Sequence, residues 1–398
     1  MSKYASWCTM LTIGMTITMS TPKSYGAETA SRPPSRVRFA TFNVWELSSA
    51  KLARVDADGR GTHPQLCKAA EIVQRVRPDV LLINEIDFDP QERGNATLFL
   101  ERYLKVPQSG RQPIDYPHVF FEPVNTGVPT GLDLDNNGDR NGSADAFGFG
   151  RYEGQYGMAL YSRFPIDRGS ARTFQMFKWK DMPGNLLPDG TGDKPKWYAP
   201  LEATVFRLSS KSHWDVPLRI PASGPPGDAT VVHILACHPT PPAFDGAEDR
   251  NGRRNFDEIR LWADYVAGGD RAAYLVDDRG RRGGLAPDDV FVIMGDLNAD
   301  PEKDERAYGQ AAIAQLLESS RVTDAKPRRS GAGDAADWVA FKTADFGRID
   351  YVLPSVNLAV VDSGVFWPAS SDPLFRLIEK PAPSSDHRLV YVDVVIEP

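Results

Sequence analysis

The sequence predicts an α/β fold whose strands and helices share a large core, and three observations carry that prediction. Apolar runs of strand length end abruptly in Asn, Glu, Asp or His, and stretches with helical spacing of apolar residues lie between them. The third observation is scale: 398 residues, 41% of them hydrophobic, are enough for one large domain. The clearest run is residues 291–294 within FVIMGDLNADP, where Gly295 ends the strand so that Asp296 and Asn298 project from its carboxyl end. Open α/β sheets place their chemistry at that end. Two residues apart in a turning segment, a carboxylate and a carboxamide can face one pocket, an acceptor beside a donor suited to a metal-bound water attacking a phosphoryl group. The same residue types also make ordinary turns.

In chain order, residues 1–27 read as an export signal: Lys3, a charge-free stretch over 7–19, then Ser24, Gly26 and Ala27 as small residues near a cleavage point. A secreted or periplasmic protein is therefore expected. Cleavage there removes Lys3 and Lys23 and takes the formal charge from -7 to -9. Residues 28–36, with Pro33 and Pro34, read as a linker, and one domain is expected over 37–398. No stretch reaches the roughly 20 apolar residues that cross a bilayer. An acidic chain repels a long polyanion unless a metal or a basic groove compensates, which disfavours non-specific DNA binding. Of three cysteines, Cys8 lies in the signal; Cys67 and Cys237 either pair or stay as buried thiols.

Residues 37–44 (VRFATFNV) alternate as a strand ending at Asn43, which can meet a phosphate or a metal ligand, or simply cap a turn. Helical spacing over 62–76 is stopped by Pro78. The strand 79–86 (DVLLINEI) brings Glu85 to its far end, where a carboxylate after a buried run is paired, metal-bound or exposed. Residues 122–156 form a long Gly- and Asn-rich insert, and loops of this length inside a domain are usually functional. Within it Asp133, Asp135, Asn137, Gly138, Asp139 and Asn141 stand at positions one, three, five, six, seven and nine of a calcium-loop pattern. Position twelve is Ala144 and no flanking helices are evident, so the insert is a lone Ca²⁺ loop or a solvated turn, not an EF-hand.

Residues 157–165 read as a strand and turn. The stretch 174–180 (FQMFKWK) is either a surface that meets phosphate or a membrane headgroup, or a strand with one solvated face. Another strand is expected over 198–208, then SKSHWDVP and a Pro/Gly turn at 223–228. The strand 230–237 (TVVHILAC) delivers His238, fixed by Pro239, Pro241 and Pro242. An amphipathic helix is expected over 255–267, preceded by Arg250, Arg253 and Arg254, which bind phosphate or form a solvated patch. A helix over 311–317, a strand over 348–353 carrying Asp350, and a strand preceded by Ser385, Asp386 and His387 complete the chain.

The motifs NV (Asn43, Val44), NEI, CHP, GDLNADP, GRIDYVLPS and SSDHRLV together resemble the endonuclease/exonuclease/phosphatase superfamily, which includes deoxyribonuclease I and the neutral sphingomyelinases. The resemblance spans nearly the whole chain after residue 35. It implies a four-layer α/β/β/α sandwich, two mixed sheets packed face to face with helices outside, and Mg²⁺- or Mn²⁺-dependent phosphoester hydrolysis. Carried over, Glu85 resembles the principal metal ligand, with Asn43 and Asp386 beside it. Asp296 resembles the group that orients or deprotonates water, and Asn298 a phosphate donor. His387 would contact the phosphate with Asp350 fixing its tautomer, and His238 would be general acid or phosphate ligand. DNA, RNA, a phospholipid or a small phosphoester all fit as substrate, and a monomer is expected. A phosphodiesterase or nuclease leads, ahead of a phosphomonoesterase or sphingomyelinase-like enzyme. An inactive calcium-binding module fits poorly, since Glu85, Asp296, Asn298, Asp386 and His387 are all retained.

Overall fold

The structure is a computed structural model and describes residues 35–89, 91, 94–221, 229–303, 308–331, 338–380 and 383–396. The expected signal, linker residues 28–34 and the 223–228 turn lie outside these. The strands are β1 (Ser35–Leu47), β2 (Val80–Ile86), β3 (His118–Phe120), β4 (Gly157–Ser162), β5 (Arg172–Thr173), β6 (His213–Pro221), β7 (Ala229–Cys237), β8 (Val290–Asp296), β9 (Asp350–Pro354), β10 (Ala359–Val365) and β11 (Val390–Ile396).

Alternation along β8 shows why its sequence is apolar throughout. Val292 and Met294 join the core between the sheets, while Phe291 and Ile293 face the opposite way into a second core. Leu235 and Cys237 of β7 and Tyr351 and Leu353 of β9 share that outer face, covered by Ile259, Trp262 and Val266 of the helix Arg250–Ala267. One sheet runs β10-β11-β1-β2-β4-β3 and the other β5-β6-β7-β8-β9. Each is mixed, with one parallel pair, β1 with β2 and β7 with β8, among antiparallel neighbours. The sheets pack through β1, β2 and β11 against β8 and β9. The helix Pro64–Val76 buries Leu66, Ala69, Ala70, Ile72 and Val73 on the first sheet. The fold is an α/β/β/α sandwich, as the motifs implied.

Several local expectations are corrected. Residues 198–208 hold the helix Pro200–Val205, not a strand: Pro200 stands in the first turn and the Glu202 carboxylate accepts from the Ala199 N–H at 2.7 Å. Residues 174–180 are not a strand either. Phe174, Phe177 and Trp179 are buried in the second core and the lysines between them are exposed, so no aromatic face remains for phosphate or membrane. The 255–267 helix begins at Arg250, its first turns hidden because Arg254, Asn255, Asp257 and Glu258 are buried polar residues. Arg254 spends its guanidinium on the carbonyls of Leu208, Phe147 and Arg207, and Arg250 and Arg253 stack over Trp197 and Tyr308. These arginines build the fold. The 311–317 helix is regular only over Ala314–Leu317. Cys67 and Cys237 are free thiols, and burial pushes Cys237 well above the usual thiol range.

Candidate active site

The parallel strands β1, β2, β7 and β8 end at the same edge at which antiparallel β9 and β11 begin, and the polar strand-end residues meet there. Asn43 comes from β1 and Glu85 from β2. His238 follows β7, Asp296 closes β8, and Asp350 opens β9 directly opposite Asp296. His387 lies three residues before β11.

Asn43 ties the two sheets together: its Nδ2 donates to Glu85 Oε1 and to Asp296 Oδ2, each at 3.0 Å. Glu85 is aimed by irregular backbone. Both pairings of β2 shift register around it, and Trp45, Glu46 and Glu85 all have positive φ, 44°, 53° and 67°. Each such non-glycine residue costs on the order of 1 kcal/mol. The distortion lets the Glu46 N–H reach Glu85 Oε2 at 2.9 Å. Asn298, at φ 51°, turns its own N–H onto Asp296 Oδ1 at 3.0 Å. Its side-chain Nδ2 donates to the Pro239 carbonyl at 3.1 Å, so one of its two amide hydrogens is already engaged.

Two imidazoles flank Asp296. His238 Nε2 is 3.4 Å and His387 Nε2 3.7 Å from Asp296 Oδ2. His387 Nδ1 donates to Asp350 at 3.0 Å, and the Thr343 hydroxyl holds Asp350 Oδ2 at 2.7 Å. The Phe346 ring stands edge-on to His387, centroids 5.5 Å apart. Ser385 anchors this arm to β1, its hydroxyl donating to the Asn43 carbonyl at 2.7 Å. Asp386 is half-buried and accepts from Ser385 Oγ at 3.3 Å.

Charge in the site is unbalanced. Burial, with the Asp350 carboxylate nearby, pushes Asp296 up to about 7 despite the pull of His387. Burial alone would depress His387, but Asp350 and Asp296 outweigh it and hold the imidazole up to about 10. His238 goes the other way: burial, then the positive charges of Lys211 and His387, keep it neutral. The shortage is of cations. Oxygens of Asp296 and Asp350 and a His387 nitrogen lie within 4.8 Å of one another, and the Glu85 and Asn43 side chains adjoin them. A donor set of carboxylate oxygens beside one imidazole nitrogen fits a hard divalent cation.

The sequence reading missed Lys211, Glu258 and Thr343. Lys211 is buried, within reach of the charges of Glu258, Glu85 and Asp296, and Glu258 accepts the N–H groups of Ser210 and Thr240, each at 2.6 Å. No spacing marks them.

Away from this edge, the acidic insert brings Asp133 and Asp135 together with Asp145, oxygens within 4.8 Å of one another. Asp145, not among the expected residues, is buried and accepts from the Leu134 and Gly142 N–H groups at 2.8 Å. Asn137 Nδ2 donates to Asp135, whereas the Asp139 carboxylate turns to the amides of Arg140 and Asn141 and stays outside the cluster.

Residues 40–387 match the model of the endonuclease/exonuclease/phosphatase family. The chain belongs to that family. Members of the endonuclease/exonuclease/phosphatase family are phosphoester hydrolases, and the matched span contains every residue of the edge just described. Comparison with curated proteins returned no match. Among solved structures, an endonuclease/exonuclease/phosphatase from Beutenbergia cavernae is 18% identical, covering 91% of this chain and 72% of its own, with a TM-score of 0.48. The human Nocturnin catalytic domain with bound sulfate is 14% identical over 91% of this chain and 94% of its own, TM-score 0.45. A mannosyl-6-phosphatase from Bacteroides thetaiotaomicron is 12% identical over 90% of this chain and 99% of its own, TM-score 0.44.

Proposed function

We propose that the protein is an exported, metal-dependent phosphodiesterase with nuclease-type activity, and that hydrolysis occurs between Glu85, Asp296, His238 and His387. The observation that carries this reading is the meeting of a carboxylate-held imidazolium, His387 on Asp350 at 3.0 Å, with a second carboxylate and a neutral imidazole. A bound Mg²⁺ or Mn²⁺, held by Glu85 and Asp386 with Asn43 beside them, would offset phosphoryl charge and make water more acidic. The chain's own groups do the rest. Asp296 and His238 form an acceptor pair for the proton of the attacking water, oriented by Asn43 and the Asn298 N–H. His387 presents an N–H from Nε2 to the phosphoryl group, its orientation fixed by Asp350 and, behind it, Thr343. The second Asn298 amide hydrogen is left for a phosphoryl oxygen.

The net charge of -7 favours a second reading, a small or lipid phosphoester in place of a long polyanion. Export is supported by the uncharged 7–19 stretch, and N-terminal sequencing of the secreted protein would test it. The deciding experiment is cleavage of supercoiled plasmid by the mature protein with Mg²⁺, beside Asp296→Ala and beside a panel of phospholipids and small phosphoesters. Nicking lost in the variant supports the nuclease reading. Turnover of only small or lipid esters replaces it with the second, and no turnover of any phosphoester refutes both.

A further inference from the structure

Lys211 precedes β6 and is only 7% exposed. His213 is paired with Cys237 across β6 and β7, and the Ser210 hydroxyl donates to the His238 carbonyl at 3.4 Å, so the segment that carries Lys211 runs beside the end of β7 from which His238 comes. The carboxylates whose charge acts on the ammonium are Glu258, Glu85 and Asp296. Among the described residues that ammonium has neither a hydrogen bond nor an ion pair within 4.0 Å. Buried lysines are almost always paired, because an unpaired buried charge is strongly disfavoured. Glu258 is the carboxylate whose charge acts on it most, but Glu258 is not within 4.0 Å of the ammonium and is held instead by the N–H groups of Ser210 and Thr240 at 2.6 Å.

The backbone around Lys211 is held from several sides. The Asn125 N–H donates to the Lys211 carbonyl at 2.8 Å, and the Asn125 side chain donates to the Ser209 carbonyl at 2.8 Å. Arg254 Nε donates to the Leu208 carbonyl at 2.8 Å. Gly148 comes so close that a Cβ there would lie 1.9 Å from the Ser210 carbonyl oxygen. Asn125 and Gly148 belong to the long insert, so the insert and the helix Arg250–Ala267 together fix where this lysine stands. A cation held rigidly beside a catalytic carboxylate, with no acceptor of its own, is preorganised for an anion that arrives from outside.

We propose that Lys211 is a catalytic residue whose ammonium takes a non-bridging oxygen of the scissile phosphoryl group, and that the 122–156 insert serves to position it. This rests on the phosphoester-hydrolase reading given above. In the reaction, the water oxygen forms a P–O bond and one water proton passes to the Asp296 and His238 pair. The bond to the leaving group breaks with its electron pair on the leaving oxygen, which takes up a proton from solvent water, while the proton held by the Asp296 and His238 pair returns to solvent. Lys211 neither gives nor takes a proton; it offsets the charge gathered on the non-bridging oxygens.

The test uses the mature protein with Mg²⁺, comparing the parent with Lys211→Met and Lys211→Arg. Hydrolysis of bis(4-nitrophenyl) phosphate and the shift in melting temperature caused by inorganic phosphate are both measured. Lys211→Met is expected to lose about 10²- to 10³-fold in kcat, as for removal of one preorganised charge donor, and to lose the phosphate-induced shift, with Lys211→Arg restoring part of each. A folded Lys211→Met that keeps kcat within about threefold of the parent, or keeps the phosphate shift, overturns the proposal. If Lys211→Met does not fold, Lys211→Gln is read by the same two criteria. A parent that shows a phosphate shift, lost in the variant, but hydrolyses no phosphoester refutes the hydrolase reading while upholding Lys211 as the phosphoryl-binding group. A parent with neither refutes both.

Discussion

Replacing Asp296 with Asn should make the metal-free protein more stable while abolishing its activity. In the folded chain Asp296 is held up to about 7 from an ordinary 3.8, so from pH 3.8 upward the unfolded state ionises before the folded one does. Stability therefore falls as pH rises through that window and levels off above about 7. The difference of roughly 3 units corresponds to at most about 4 kcal/mol at neutral pH. The Asn variant escapes this cost, and its new N–H₂ faces neutral His238 Nε2, 3.4 Å from Oδ2 in the parent. Some of the gain is returned. One of the two hydrogen bonds from Asn43 and the Asn298 N–H loses its acceptor, worth about 1 kcal/mol, and His387 loses an anion 3.7 Å away. The net expectation is about 1 to 3 kcal/mol of added stability, a few degrees in melting temperature. Denaturant unfolding of chelator-treated parent and variant at about pH 7.5 and about pH 4.5 measures it. The advantage should be large at the higher pH and shrink at the lower, where the parent carboxyl is protonated. A variant no more stable than the parent at pH 7.5, or one whose advantage does not depend on pH, refutes the reasoning.

Further outcomes follow from the same geometry. His387 is raised from 6.5 to about 10, so the stability it contributes is complete below about pH 6.5 and is lost as pH rises toward 10; His387→Gln should flatten that alkaline decline in a pH series of melts and remove turnover. Gly148→Ala must push against the Ser210 carbonyl, 1.9 Å from the added Cβ, and should lower kcat at least tenfold while far-ultraviolet circular dichroism stays that of the parent. Thr343→Val removes a 2.7 Å hydrogen bond to buried Asp350 and should cost about 1 to 3 kcal/mol in denaturant unfolding together with a fall in kcat. If the acidic insert holds Ca²⁺, chelation should lower the melting temperature of the parent and leave that of Asp135→Asn unchanged; equal melts with and without chelator dismiss the ion.

Much of the candidate site could be read before the fold was known because strand ends are punctuated. LLINEI, HILACHP and FVIMGDLN each pass from buried to polar in one residue, and all three land on the same edge. What joins them could not be read. Asp296 and Asp350 are direct partners across β8 and β9, yet no local pattern links two residues so far apart in the chain. Lys211 sits among serines, a context indistinguishable from a solvated turn until the insert covers it. Arg254 misled in the opposite sense, since a basic cluster at a helix start suggests phosphate although its guanidinium is used on three carbonyls. Residues 198–208 failed because apolar residues on a short helix and on a strand are equally spaced over so few positions.

The Asn43 carboxamide reaches Glu85 on its own sheet and Asp296 on the other, 3.0 Å to each, so the candidate site is assembled from two sheets packed face to face. Under the proposed function, turnover is expected to respond to the spacing of the sheets. A methyl group removed from Val292 or Met294, buried between the sheets, is expected to change the separation that Asn43 has to bridge. Such a cavity is expected to show in activity as well as in melting temperature.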